Sequence, residues 1–225
     1  MGDNRRMMHA VRSISGTPTV VEVPEPVGDW PLLDVGSASI CGSDLALLSW
    51  GLPVTIGHEV AGTVDGRPFC VEPTVGCGDC DQCRAGAPQR CRGTAAHGLL
   101  GVSFDGGLAD RVRVPAECLV PLPDGLRVAD ACLVEPLAVS WHGLRKVSAA
   151  PGERVLVVGG GSVGLLAVAA ARAMGLEVDL EARHPHQNSA GERLGAGSPH
   201  GEYDIVVEAA GTDSGLAESL RRAAP

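Results

Sequence analysis

The segment GCGDCDQCRAGAPQRC sets four cysteines at Cys77, Cys80, Cys83 and Cys91, in the pattern C-x2-C-x2-C-x7-C. A lobe of this composition has almost no apolar side chains to bury, so hydrophobic packing cannot hold it together. Four thiolates closing on one tetrahedral Zn²⁺ at about 2.3 Å can. Gly76, Gly78 and Gly86 give the backbone the freedom to aim the sulfurs inward. The rival is a pair of disulfides, which belongs to oxidising compartments. The opening MGDNRRMMHAVRS has two arginines but no apolar run behind them, so it does not read as a secretory signal, and zinc in a cytoplasmic protein is the expectation. Of the remaining cysteines, Cys70, Cys118 and Cys132 read as small buried hydrophobes.

The 225 residues carry a net charge of −9, and Lys146 is the only lysine. An acidic chain without a basic run argues against nucleic acid and anionic membranes as partners. No apolar stretch is long enough for a membrane span.

Residues 8–150 consist of short apolar runs such as TPTVVEVPEP, GHEVAGTV and RPFCVEP, each bounded by Gly, Pro or Asp. That texture predicts a compact β-rich domain. Helices are expected at 43–50 and 127–146, the second kinked or restarted at Glu135-Pro136. Beyond Pro151-Gly152 the texture changes: strand 154–158, helix 162–174, strand 177–182, strand 204–209 and helix 213–223. Strands alternating with helices imply a parallel sheet over 151–225, giving an α/β domain after a β domain. His184, His186 and His200 fall in a polar Pro/Gly-rich stretch that reads as solvated loop.

The turn from Gly159 to Gly164, GGGSVG, fits G-x-G-x-x-G between a strand and a helix. Gly159 permits the turn, Gly161 admits a pyrophosphate, and Gly164 brings helix and strand close; the N–H groups after Gly161, through Ser162 and Val163, face the phosphates. At the end of the next strand, an Asp or Glu gripping a ribose 2′-hydroxyl would fall on Ala182, with Arg183 following. A small residue and then a cation favour a 2′-phosphate, hence NADP over NAD, although a register shifted by one residue would restore NAD. Glu181 is one residue away and by strand alternation faces the other side. Cys41 in ICGSD and His58-Glu59 in IGHEVAG supply a thiolate, an imidazole and a carboxylate, the mixed donors of a catalytic zinc.

CGSD at 41–44, GHE at 57–59, the four-cysteine lobe, DGG-x-AD at 105–110, LVEPLAV at 133–139 and VVGGGSVG at 157–164 together resemble the zinc-containing medium-chain alcohol dehydrogenases. The EPLAV form resembles their polyol, threonine and sugar dehydrogenase branch. The resemblance implies a GroES-like catalytic domain followed by a Rossmann domain, with two zinc ions per chain, one catalytic and one structural. It implies Cys41 and His58 as ligands of the catalytic zinc, with Glu59 and Glu135 completing the shell, one of the two directly and the other through the zinc-bound water. It implies Asp44 orienting His58 and Ser43 accepting the proton of a small-molecule alcohol or polyol. A non-catalytic zinc-binding remnant and an NADPH-dependent reductase are the other readings; the latter branch generally lacks both zinc sites.

Three departures from the family's pattern stand out. Ala46 occupies the place of a histidine that carries the proton onward from Ser43. The segment from Gly62 to Pro73 is a tight hairpin where the family has a longer excursion. The Rossmann part is partial: a third strand is lost within GERLGAGSPHGEYD, and the chain ends where another strand is expected, leaving the edge of strand 204–209 open. The family forms homo-oligomers through segments that this reading does not find here.

Overall fold

The structure, a computed structural model, describes residues 6–93 and 98–225. Contacts divide the chain into two compact units, one ending at Glu135 and the other running from Pro136 to Pro225. The change of sequence texture at 148–152 lies further on, because a helix ahead of it packs with the second unit: its Leu144 joins that unit's core.

In the first unit, β1 (Met7–Ile14) and β2 (Thr17–Pro24) form an antiparallel ribbon. Next come β3 (Leu32–Ser39), α1 (Gly42–Ser49), β4 (Glu59–Val64), β5 (Arg67–Val71) and β6 (Thr74–Val75). The cysteine lobe holds α2 (Asp81–Arg84), and β7 (Gly98–Leu99), β8 (Arg111–Arg113) and β9 (Leu119–Pro121) follow. The main sheet is antiparallel, in the order β8-β3-β4-β5-β9. Alternation on β4 sends Val60 to a core with Leu33, Leu100, Val112 and Val114, and Ala61 to the opposite face with Cys70 and Ala131. That second face is covered by a 3-10 segment, Val128–Leu133. The three remaining cysteines are buried free thiols, as expected.

Of the two outcomes expected at Glu135-Pro136 within 127–146, a restart and not a kink is found. The 3-10 segment gives way to α3 (Val134–Lys146), and Pro136 sits in the first turn of α3. A proline there has no intrahelical hydrogen bond to lose, so it starts the helix instead of kinking it.

The second unit is built on β10 (Arg154–Val158), α4 (Ser162–Ala173), β11 (Glu177–Glu181), α5 (Pro185–Arg193), β12 (Ile205–Glu208) and α6 (Asp213–Arg222). The strands are parallel, in the order β11-β10-β12. From Val155 to Val158, β10 is apolar and buried because both its faces are covered. Val155 and Val157 pack with Ala167, Val168 and Ala171 of α4, while Leu156 and Val158 pack with Tyr203. The stretch read as solvated loop contains α5, with His184 as its N-cap and Gly191 against Leu180. The missing third strand is reduced to one bridge, Asp179 with Gly197. Gly195, Gly197 and Pro199 surround it, and such residues do not extend a strand. The edge beyond β12 is not wholly open either: Ala223 bridges Tyr203 in parallel, and Ala224 N–H donates to the Tyr203 carbonyl at 2.9 Å.

Candidate metal sites and dinucleotide cavity

The four lobe sulfurs all lie within 4.8 Å of one another, and the Cys77–Cys83 and Cys80–Cys91 pairs are each 4.0 Å apart. Four ligands at about 2.3 Å from a tetrahedral centre stand about 3.8 Å apart. The spacing therefore matches one shared ion, and all four thiols are free. α2 begins at Cys80, whose sulfur accepts the Cys83 N–H, while Cys91 Sγ accepts from Cys77 and Gly93. The N–H groups of Arg92 and Cys83 hold the Cys80 thiol down at about 6. Desolvation and the neighbouring Cys80 sulfur push Cys83 up to about 12. Crowded sulfurs thus resist joint ionisation unless a cation joins them. Zinc fits this donor set.

The second cluster is assembled by two chain turns. Cys41 caps α1 and Asp44 follows in its first turn; His58 and Glu59 stand at the start of β4. Donor atoms of Cys41, His58 and Glu59 lie within 4.8 Å of one another. The loop that presents His58 is held from outside by Asp105-Gly106-Gly107. Asp105 accepts the Thr55 N–H at 2.7 Å, and a Cβ on Gly106 would stand 2.1 Å from the Gly57 carbonyl oxygen. Only glycine fits that approach, which gives the DGG motif a structural role beside the site.

Asp44 links the two turns. Its Oδ2 accepts the Cys41 N–H at 2.9 Å, and its Oδ1 faces His58 Nδ1 at 3.4 Å. Both Asp44 Oδ1 and His58 Nδ1 are buried and lack a well-aligned hydrogen-bond partner. The Asp44 carboxylate, opposed by burial and helped by Cys41, raises His58 to about 9. With Nδ1 turned to Asp44, Nε2 is the free ring nitrogen, 3.5 Å from Ser43 Oγ. Glu59 is 2% exposed, and Ser39 donates to its Oε2. Glu135 lies outside the three-residue cluster but within electrostatic reach of it. Burial pushes its carboxyl up, with His58 opposing and Glu59 adding. Buried acids around one imidazole leave an excess of negative charge, and the S/N/O donor set with Asp44 behind the imidazole fits a zinc ion.

Ser39 is a contact that motif reading missed. Its signal is positional: Ser39 and Glu59 are register partners across β3 and β4. That register cannot be counted from the sequence, because a bulge intervenes between Val35 and Ser37.

In the second unit a cavity of about 540 Å³ is lined by Gly159, Gly160, Gly161, Ala182, Arg183 and residues of the β12–α6 turn. Gly164 does not line it; a Cβ there would stand 1.8 Å from the Gly159 carbonyl oxygen, the close helix–strand approach expected. A Cβ on Gly161 would meet nothing within 4 Å, so the backbone is open toward the cavity. Ser162 and Val163 are exposed in the first turn of α4, outside the lining. Glu181 lines the cavity together with Ala182 and Arg183, although alternation predicted it turned away. It ends β11, and past a strand end both faces open on the same cavity.

Residues 28–124 match the family model for the alcohol dehydrogenase GroES-like domain. L-galactonate-5-dehydrogenase of Escherichia coli (strain K12) is 35% identical over 175 residues, 70% of this chain and 50% of its own. A zinc-type alcohol dehydrogenase-like protein of Haemophilus influenzae, uncharacterized, is 31% identical over 239 residues, 90% of this chain and 68% of its own. Sorbitol dehydrogenase of Bacillus subtilis is 32% identical over 213 residues, 84% and 58%. A zinc-binding dehydrogenase from Sinorhizobium meliloti 1021, solved bound to NADP, superposes with TM-score 0.85 at 32% identity, over 97% of this chain and 74% of that one. The chain thus spans about half to two thirds of the length of these curated relatives.

Proposed function

This chain belongs to the zinc-type alcohol dehydrogenase family, and from that premise we propose that it oxidises a secondary alcohol or polyol with NAD(P), using two zinc ions per chain. The convergence of Cys41, His58 and Glu59, with Asp44 behind His58, carries the reading. These three residues hold the catalytic ion; Cys77, Cys80, Cys83 and Cys91 hold the structural one. A zinc ion at the first site supplies Lewis acidity, easing loss of a proton from a substrate hydroxyl. Ser43 receives that proton. Ala46 offers no onward acceptor, so the proton leaves Ser43 directly to water. Asp44 fixes the His58 tautomer and ring plane. Glu135, within electrostatic reach of His58 and Glu59, is a further carboxylate that would offset the charge of the ion.

Gly159, Gly161 and Gly164 shape the phosphate turn, and the first N–H groups of α4, from Ser162 and Val163 onward, bind the pyrophosphate. A bound dinucleotide supplies the hydride acceptor. Ala182 and Arg183 support NADP over NAD, as does the NADP in the Sinorhizobium meliloti relative, while Glu181, lining the same cavity, is the carboxylate that would favour NAD if it gripped the ribose. A polyol or sugar-acid substrate is the reading favoured by the relatives' names.

The test is formation of reduced coenzyme, followed by absorbance over a panel of polyols, sugar acids and secondary alcohols, with Cys41→Ser as control. Substrate-dependent turnover that Cys41→Ser abolishes is the expected result. Turnover unaffected by Cys41→Ser would overturn the proposal.

A further inference from the structure

Two serines lie one strand period apart at the end of β3, and neither belongs to a recognised motif. Ser39 Oγ donates to Glu59 Oε2. Ser37 Oγ donates to the Val128 carbonyl at 2.5 Å and accepts the Cys132 N–H at 3.2 Å. Ser37 and Ser39 pair with Ala61 and Glu59 of β4, so their side chains share one face of the sheet with those of Ala61 and Glu59. That face is the one covered by the 3-10 segment leading into Glu135. One serine therefore grips the buried carboxylate of the site, and its neighbour grips the backbone just ahead of the other carboxylate.

We infer that Ser39 is a positioning residue, which fixes the Glu59 carboxylate so that one oxygen is occupied and the other is presented to the ion held by Cys41 and His58. The inference rests on the zinc site proposed above. A carboxylate has two oxygens and about four lone-pair directions, and an unrestrained one can turn either oxygen inward or swing away. Glu59 is almost fully buried, so water cannot replace the serine as a partner. Register holds Ser39 opposite Glu59, and Ser37, locked to Val128 and Cys132, keeps the β3 end in place. Glu59 is thereby the carboxylate held toward Cys41 and His58. This agrees with Glu59, and not Glu135, lying in the three-donor cluster.

The test is Co²⁺ titration of the full chain with its cysteine lobe zinc-filled, comparing wild type, Ser39→Ala, Ser39→Thr and Cys41→Ser. Loss of an outer partner of a metal ligand typically weakens metal binding about 10–100-fold. Ser39→Ala is expected to weaken Co²⁺ binding within that range and to change the visible d–d bands. Ser39→Thr, which keeps the hydroxyl, should restore both, together with any Tm that Ser39→Ala loses by leaving a buried Glu59 oxygen unpaired. Unchanged affinity and bands in Ser39→Ala would overturn the inference while leaving the zinc site standing. A wild type that binds no more Co²⁺ than Cys41→Ser would overturn both.

Discussion

His58 sits where a proton and a metal ion compete. Asp44 keeps its imidazole protonated up to about 9, against an ordinary value of 6.5. The two forms of the protein should therefore respond to pH in opposite directions. In the metal-free chain the folded pKa is raised, so the stability that His58 contributes is fully present below about 6.5. It is lost as pH rises through about 9. Zinc requires the neutral ring, so binding displaces that proton, and each unit of pH below about 9 should weaken binding about tenfold through His58 alone. Titrations of zinc affinity between pH 6 and 8.5 check this; a flat profile would show that His58 is not a ligand. Arg183 is a second decisive residue, lining the proposed dinucleotide cavity with Glu181. Arg183→Ala should weaken NADP by about tenfold or more, the scale of one charge-assisted contact, and leave NAD nearly unchanged. Equal losses for both coenzymes would mean that it does not read a 2′-phosphate.

At the level of elements, the two proposed zinc sites should divide between stability and activity. The lobe around α2 has no buried residue of its own in that helix, so its shape depends on the four sulfurs. Cys80→Ser should lower Tm by well over the roughly 4 °C that corresponds to about 1 kcal/mol in a chain of this size, and Glu135→Ala by less. Equal losses in thermal melts would contradict that division. Gly164→Ala should cost about 1–3 kcal/mol, because its Cβ would press on the Gly159 carbonyl. It should also weaken dinucleotide binding by displacing the turn, which isothermal titration would measure. Elements with local chemical signals were legible from the sequence: the CGSD helix start, the cysteine lobe, and the strand–turn–helix around GGGSVG. What was illegible depended on distant partners. The break between the 3-10 segment and α3 depends on Ala131 packing against Ala61 and Cys70. α5 forms in a polar stretch because Gly191 fits against Leu180. The Ser39–Glu59 contact depends on a register that a bulge resets. Motifs encode chemistry locally, while long-range packing decides which neighbouring hydroxyl or carboxylate completes the site.

For the whole molecule the decisive quantity is metal stoichiometry, because both ligand sets lie in the unit ending at Glu135 yet share no residue. On the reading proposed above, the four sulfurs would close a tetrahedron around their ion, whereas Cys41, His58 and Glu59 would supply three protein donors and leave a position free. A closed set of thiolates holds its ion through a chelator wash more firmly than three mixed donors facing an open position. Elemental analysis of metal-replete protein should therefore give two zinc ions per chain. A brief chelator treatment should lower this to one with little change in Tm, and Cys41→Ser should give one from the outset. Prolonged chelation should remove the second ion and destabilise the unit around the lobe. The order of loss is the sharp part of the expectation. If the first ion removed were the one on Cys77, Cys80, Cys83 and Cys91, leaving Cys41-dependent metal in place, the assignment of structural and catalytic sites would have to be reversed. A stoichiometry of one that Cys41→Ser does not alter would leave the lobe as the sole zinc site.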